Sequence, residues 1–92
     1  MPKEKTNGAT TSLAFGVAER LERRFGLGAK ADVRRALYER LQLAIEVHGE
    51  RAYVAVRTIA AQAEGKRHPD RYFCFAAVRR LGELGLMPQA DL

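Results

Sequence analysis

The chain has one cysteine, Cys74, so an internal disulfide framework is excluded. Cys74 falls among apolar residues at helical spacing, with no activating group nearby, and reads as a small buried hydrophobe rather than a reactive thiol. Serine is equally scarce. Ser12 is the only one, it sits where a helix would be capped, and no serine elbow surrounds it. The two histidines, His48 and His68, stand in no metal-ligand spacing, and no GxxxxGK[ST] loop is present. Gly26-Leu27-Gly28 has no strand before it and reads as a helix terminator, not a nucleotide loop. Catalysis needs groups that converge, and none do. The expectation is no enzyme, no catalytic residues, no metal or other cofactor and no small-molecule substrate. No apolar run approaches the ~18 residues of a membrane span, and Met1–Gly8 lacks the apolar stretch of a signal peptide. A cytoplasmic protein with no membrane partner is therefore expected. Period-two alternation, hairpin signals and internal repeats are all missing, which removes the β classes.

What remains is helical periodicity. Ninety-two residues make one small domain, whose thin core leaves its stability marginal. The spacing predicts an all-α bundle of about four helices over residues 10–86, with a disordered tail at 1–9 and a frayed end at 87–92. Helix one is expected from Thr10–Ser12 to Gly26 or Gly28, with Leu13, Val17, Leu21 and Phe25 inward and Glu19, Glu22 and Arg23 in water. Phe15 lies off that arc. Helix two is expected from an Asp32 cap to His48, with Gly49 as its stop. Its predicted seam is Val33, Leu37, Leu41, Ala44 and His48, widened by Ala36, Leu43 and Val47. Arg34, Arg35, Glu39, Gln42 and Glu46 form its wet face, and Arg40 snorkels or pairs with a carboxylate. Helix three, about Arg51–Glu64, turns Ala52, Val56, Ile59, Ala60 and Ala63 inward, with Val54 and Ala61 as a second apolar face.

Helix four, His68–Leu84, is the best-defined element. Pro69 suits a first turn, Asp70 complements the helix dipole, and Gly85-Leu86 has the pattern of a left-handed C-terminal cap. A 100° step places Phe73, Cys74, Ala77, Val78, Leu81 and Leu84 on one arc. Tyr72, Ala76, Arg79 and Glu83 lie opposite, with Arg80 at the border. A tyrosine and two arginines around a flat alanine make an unusual surface.

The charge balance points to the same place. The chain carries +5, and residues 65–85 hold Lys66, Arg67, Arg71, Arg79 and Arg80 against Asp70 and Glu83. Two readings follow. In the first, the chain is a nucleic-acid-binding module, DNA favoured, working as an accessory to a larger replication, transposition or mobile-element machine. Lys66, Arg67, Arg71, Arg79 and Arg80 would meet phosphates and Tyr72 would stack on an unpaired base. In the second it is a protein–protein adaptor, a small subunit of a larger complex, with Phe15, Tyr72 and Phe75 as anchors.

One run of residues carries a family resemblance. Ile45-Glu46-Val47-His48-Gly49 is followed by the alanine-rich Ala52–Val56 and Ala60–Gly65, the polar loop Lys66–Arg71, and then Tyr72-Phe73. Over Leu41–Leu84 this resembles the helical domain of bacterial DnaD/DnaB-type primosome proteins. Ala76 and Arg80 stand where that family has isoleucine and tryptophan. The resemblance implies DNA binding through the last helix, in replication initiation or in plasmid or phage replication.

Overall fold

The computed structural model describes residues 13–87. Among them are four helices and no strand: α1 Val17–Phe25, α2 Ala31–His48, α3 Glu50–Ala63 and α4 Pro69–Glu83. The all-α expectation holds. The tail expected at 1–9 and residues 88–92 of the expected C-terminal tail lie outside the described residues. Met87, which the sequence places in the frayed end, is partly buried and packs against the core.

The helices pack as two pairs, α1 with α2 and α3 with α4, joined where α2 turns into α3 at Gly49. Tyr38, Leu41, Ile45, Phe73 and Leu81 are fully buried between the pairs. Phe73 is the centre. Its ring stacks on Phe25, with centroids 4.5 Å apart and planes 12° from parallel, and it tilts against Tyr38 at 6.4 Å. Offset rings at such separations add to plain area burial. All five residues predicted for the inner face of α3 are buried. Three of them are alanines, which lets neighbouring backbones come close.

Helix one departs from expectation at its start. Leu13 and Ala14 are helical, but Phe15-Gly16 form a turn and Gly16 takes φ 71°. A left-handed residue cannot continue a right-handed helix, so α1 begins afresh at Val17. This new start leaves backbone N–H groups without helical partners. One of them, that of Ala18, donates to Gln42 Oε1 of α2 at 3.0 Å. Gln42 therefore belongs to the α1–α2 junction and not to the wet face.

Helix two is rotated about 50° from the predicted seam, counted at 100° per residue. Tyr38, Leu41, Ala44 and Ile45 are buried, whereas Val33 (66% exposed), Ala36, Leu43, Val47 and His48 face out. Tyr38 decides the rotation. It buries a whole ring and still satisfies its hydroxyl, which donates to the Gly26 carbonyl at 2.7 Å. Arg34 Nη1 reaches the same carbonyl at 3.4 Å, so Arg34 too leaves the predicted wet face. The helix start also differs. Lys30 occupies the N-cap position without a side-chain bond, and Asp32 lies exposed in the first turn.

Two smaller corrections concern α3 and α4. Val54 and Ala61 are exposed, so α3 has no second buried face. On α4, Phe73, Ala77 and Leu81 are buried and Cys74 and Leu84 half-buried, but Val78 is 41% exposed. Tyr72 and Ala76 are half-buried against the core rather than fully turned to water. The ends of α4 match expectation. Pro69 is its first residue, Gly85 has φ 73°, and the Leu86 and Gly85 N–H groups donate to the Leu81 and Gly82 carbonyls at 2.8 and 3.1 Å. With Leu86 buried, this is a full Schellman closure.

Candidate nucleic-acid interface

Helices α3 and α4 meet along their inner faces and diverge above them, leaving an open groove of about 670 Å³. On α4 the spacing 72, 75, 76, 79, 80, 83 is i, i+3, i+4, i+7, i+8, i+11, one continuous helical face. It presents Tyr72, Phe75, Ala76, Arg79, Arg80 and Glu83 to the groove. On α3 the spacing 51, 54, 55, 58, 62 does the same with Arg51, Val54, Ala55, Thr58 and Gln62. Ala76 and Ala55 keep the floor low between larger walls. Phe75 is 68% exposed and Val54 is 52% exposed, so the groove offers apolar surface alongside its cations.

The sequence-predicted residues divide. Tyr72, Phe75, Arg79 and Arg80 are brought together here. Lys66 does not line the groove, but its Nζ sits 4.8 Å from the centroid of the Tyr72 ring. Such a cation over an aromatic face is attracted by the ring quadrupole. Arg67 and Arg71 are exposed and lie outside the lining. Phe15, 76% exposed before α1, does not line it either, so the three anchors of the adaptor reading do not form one patch in this groove. Arg51, Val54, Thr58 and Gln62 were missed. Their i, i+3, i+7, i+11 repeat was visible, but with Val54 assigned to a core face it had no reason to be read as a wall.

Charge in the groove is partly compensated. Glu83 lies 3.3 Å from Arg79 Nε and 3.6 Å from Arg80 Nη1. All three side chains are more than half exposed, and surface pairs of this kind contribute only about 0–1 kcal/mol. A stronger anion can therefore exchange for Glu83 at little cost.

The groups with shifted proton affinity lie behind α4, not in the groove. Burial pushes the Tyr38 hydroxyl and the Cys74 thiol above their ordinary values. Arg34 is raised, first by its hydrogen bond with Tyr38. For Asp70, desolvation works against ionisation. The backbone N–H groups of Arg71 and of Asp70 itself, with the Arg34 guanidinium, outweigh it and hold the carboxyl below its ordinary value. Of these groups, Arg34 and Asp70 pair at 3.5 Å at the start of α4.

Among the described residues no cluster of three or more His, Cys, Asp or Glu is arranged to hold a metal ion. No described helix is long and apolar enough to cross a membrane. No protein-family model, curated protein or solved structure matches the chain.

Proposed function

We propose that the α3–α4 groove binds single-stranded nucleic acid, DNA in the first instance, and that the chain serves as an accessory module of a larger nucleic-acid machine. One observation carries this reading: the exposed ring of Phe75 stands beside Tyr72 in a groove walled by Arg51, Arg79 and Arg80. Non-specific single-strand binders combine an arginine or lysine track for the backbone with aromatic faces for the bases. Phe75 is the better stacking ring, because Tyr72 is half-buried and already carries Lys66 on its face. Arg67 and Arg71 extend the positive field at the α4 entrance. A setting in replication, or in plasmid, phage or other mobile-element replication, is what the resemblance to the DnaD/DnaB-type domain implies for this same helix.

The test is fluorescence anisotropy with a labelled dT15 strand and a 15-base-pair duplex, each at two salt concentrations. Phe75→Ala is expected to weaken single-strand binding by about 1–3 kcal/mol and duplex binding much less. Arg79→Ala/Arg80→Ala is expected to weaken both and to flatten the log–log salt slope by roughly 1–2. Glu83→Gln, which releases both arginines, is expected to tighten binding about two- to fivefold, the worth of a surface pair. Wild-type affinity for dT15 in the phenylalanine and arginine variants, with unchanged melting temperatures, would sink the proposal.

A further inference from the structure

A second groove lies on the other side of α3. At 100° per residue, positions 53, 56, 57 and 60 point opposite to 51, 54, 58 and 62. The two sides of α3 therefore face different spaces. Helices α1 and α3 scarcely touch each other, and the gap between them is an open groove of about 510 Å³. Its floor is apolar, with Leu21 from α1, Ile45 from α2 and Val56 from α3. Arginines rim both sides: Arg20, Arg23 and Arg24 from α1, and Arg57 from α3. No aspartate or glutamate lines it, in contrast to the α3–α4 groove with Glu83.

We infer that this groove docks an acidic amphipathic helix of a partner protein. Charge complementarity selects the acid. Arg20, Arg23 and Arg24 follow one another at i, i+3 and i+4, so they match carboxylates repeating along a helix rather than a single ion. Arg20 and Arg24 are partly engaged, with the Phe15 carbonyl at 3.1 Å and with the Glu64 carboxylate. Among the described residues Arg23 and Arg57 have no carboxylate partner and are exposed, one on each wall. The apolar floor selects the helix. Leu21, Ile45 and Val56 are a buried base. The apolar surface left above it, from the half-buried Tyr53 and the alkyl stems of the arginines, would go uncovered by a phosphate backbone, while a flat lipid surface cannot enter a concave groove. An aliphatic ridge at i, i+4 and i+7, flanked by glutamates, fills the floor and meets both rims. The nine residues of α1 allow a docked segment of about two to three turns. This inference is independent of the nucleic-acid reading, since the two grooves share no residue.

The experiment uses the full chain and a labelled 16-residue helical peptide with leucine at one i, i+4, i+7, i+11 ridge and glutamate on both flanks. Controls are a scrambled peptide of the same composition, the same helix with lysine for glutamate, and dT15. The acidic helix is expected to bind and the scrambled and lysine peptides to bind at least about tenfold more weakly. Amide chemical-shift changes are expected around Leu21, Tyr53 and Arg57 and not around Phe75. Arg23→Glu/Arg57→Glu is expected to reduce helix binding about tenfold or more, with melting temperature unchanged and dT15 binding lowered by a clearly smaller factor that added salt removes. Arg23→Gln/Arg57→Gln, which adds no like charge, should give a smaller loss in the same direction. Equal binding of the scrambled peptide, no binding of the acidic helix, or a loss of dT15 binding in the glutamate variant as large as its loss of helix binding would each overturn the inference. The last of these outcomes would make the groove a phosphate site instead.

Discussion

The Arg34 guanidinium lies 3.5 Å from the Asp70 carboxylate, tying the first turn of α2 to the first turn of α4. Arg34 also donates to the Gly26 carbonyl beyond α1, where the Tyr38 hydroxyl donates as well. Three helices are thus registered on one small polar node beside the aromatic stack of Phe25, Phe73 and Tyr38. The node sits at the start of α4, the helix that supplies most of the arginine and aromatic wall of the groove. Where α4 begins sets where Tyr72, Phe75 and Arg79 end up, so this node positions the candidate site without touching it.

That node gives the fold a defined pH range. Asp70 has a depressed carboxyl in the folded state, so its contribution is present above its ordinary value of 3.8 and is lost as pH falls through the lower folded value. Tyr38 and Cys74 are raised above 10.0 and 9.0, chiefly by burial. Their contribution is full below those values and is lost as pH climbs through the raised ones. Thermal melts followed by circular dichroism should therefore show a plateau from about pH 4 to about pH 9, with a decline on each side. Asp70→Asn should lower the plateau and flatten the acid limb. An acid limb of unchanged slope in that variant would assign it to other carboxylates.

Two phenylalanines two residues apart should behave in opposite ways. Phe73 is fully buried between Phe25 and Tyr38, and Phe73→Ala should cost about 3–5 kcal/mol. Such a loss takes a large share of the ~5–15 kcal/mol available to a small domain. Phe75 is exposed in the groove, and Phe75→Ala should change stability by no more than about 0.5 kcal/mol. Urea unfolding midpoints decide it. Similar midpoints would mean that the inner and outer faces of α4 have been exchanged.

Glycine at the end of α4 offers a second opposed pair. Gly82 lies within the helix, and a Cβ there would meet open space. Gly82→Ala should therefore stabilise by about 0.5–1 kcal/mol, because alanine has less backbone freedom to lose. Gly85 also has open space around it, but its φ of +73° is left-handed. Gly85→Ala should destabilise by about 1–2 kcal/mol through backbone strain alone. If both substitutions shift the melting temperature in the same direction, the Schellman closure is not what ends this helix.

The fold was legible wherever a helix declares its face by itself. The inner stripe of α3 repeats small and aliphatic residues at a clear helical period, and all five were placed correctly. So were Phe73, Ala77 and Leu81 on α4. Helix α2 was misread because Val33 and Val47 outweigh tyrosine on any hydropathy count. What buries Tyr38 is a carbonyl at Gly26, presented by a different part of the chain, and no local pattern carries that information. Gln42 and Arg34 were assigned to water for the same reason: their partners, the Ala18 N–H and Asp70, arrive only with the tertiary fold. For the groove, the α4 half was visible as aromatic and arginine residues on one face. The α3 half, Arg51, Thr58 and Gln62, depends on which side of α3 the docking leaves open, and local spacing does not set that.

Among the described residues helix α3 separates the two grooves, and an α-helix with its side chains is about 10–12 Å across. The screening length at physiological ionic strength is about 8 Å, and between the grooves lies packed protein rather than salt water. Two anionic occupants on either side of α3 would therefore sense each other. Each would lower the affinity of the other by the same factor, since such a linkage is reciprocal. Titrating the acidic helix into a complex with dT15 should lower the strand's affinity at low salt, and by a smaller factor when screening is strong. An unchanged strand affinity at both salt concentrations would show that the partition insulates the two faces. A module built this way would hand over one partner as it takes up the other, with no change of shape required.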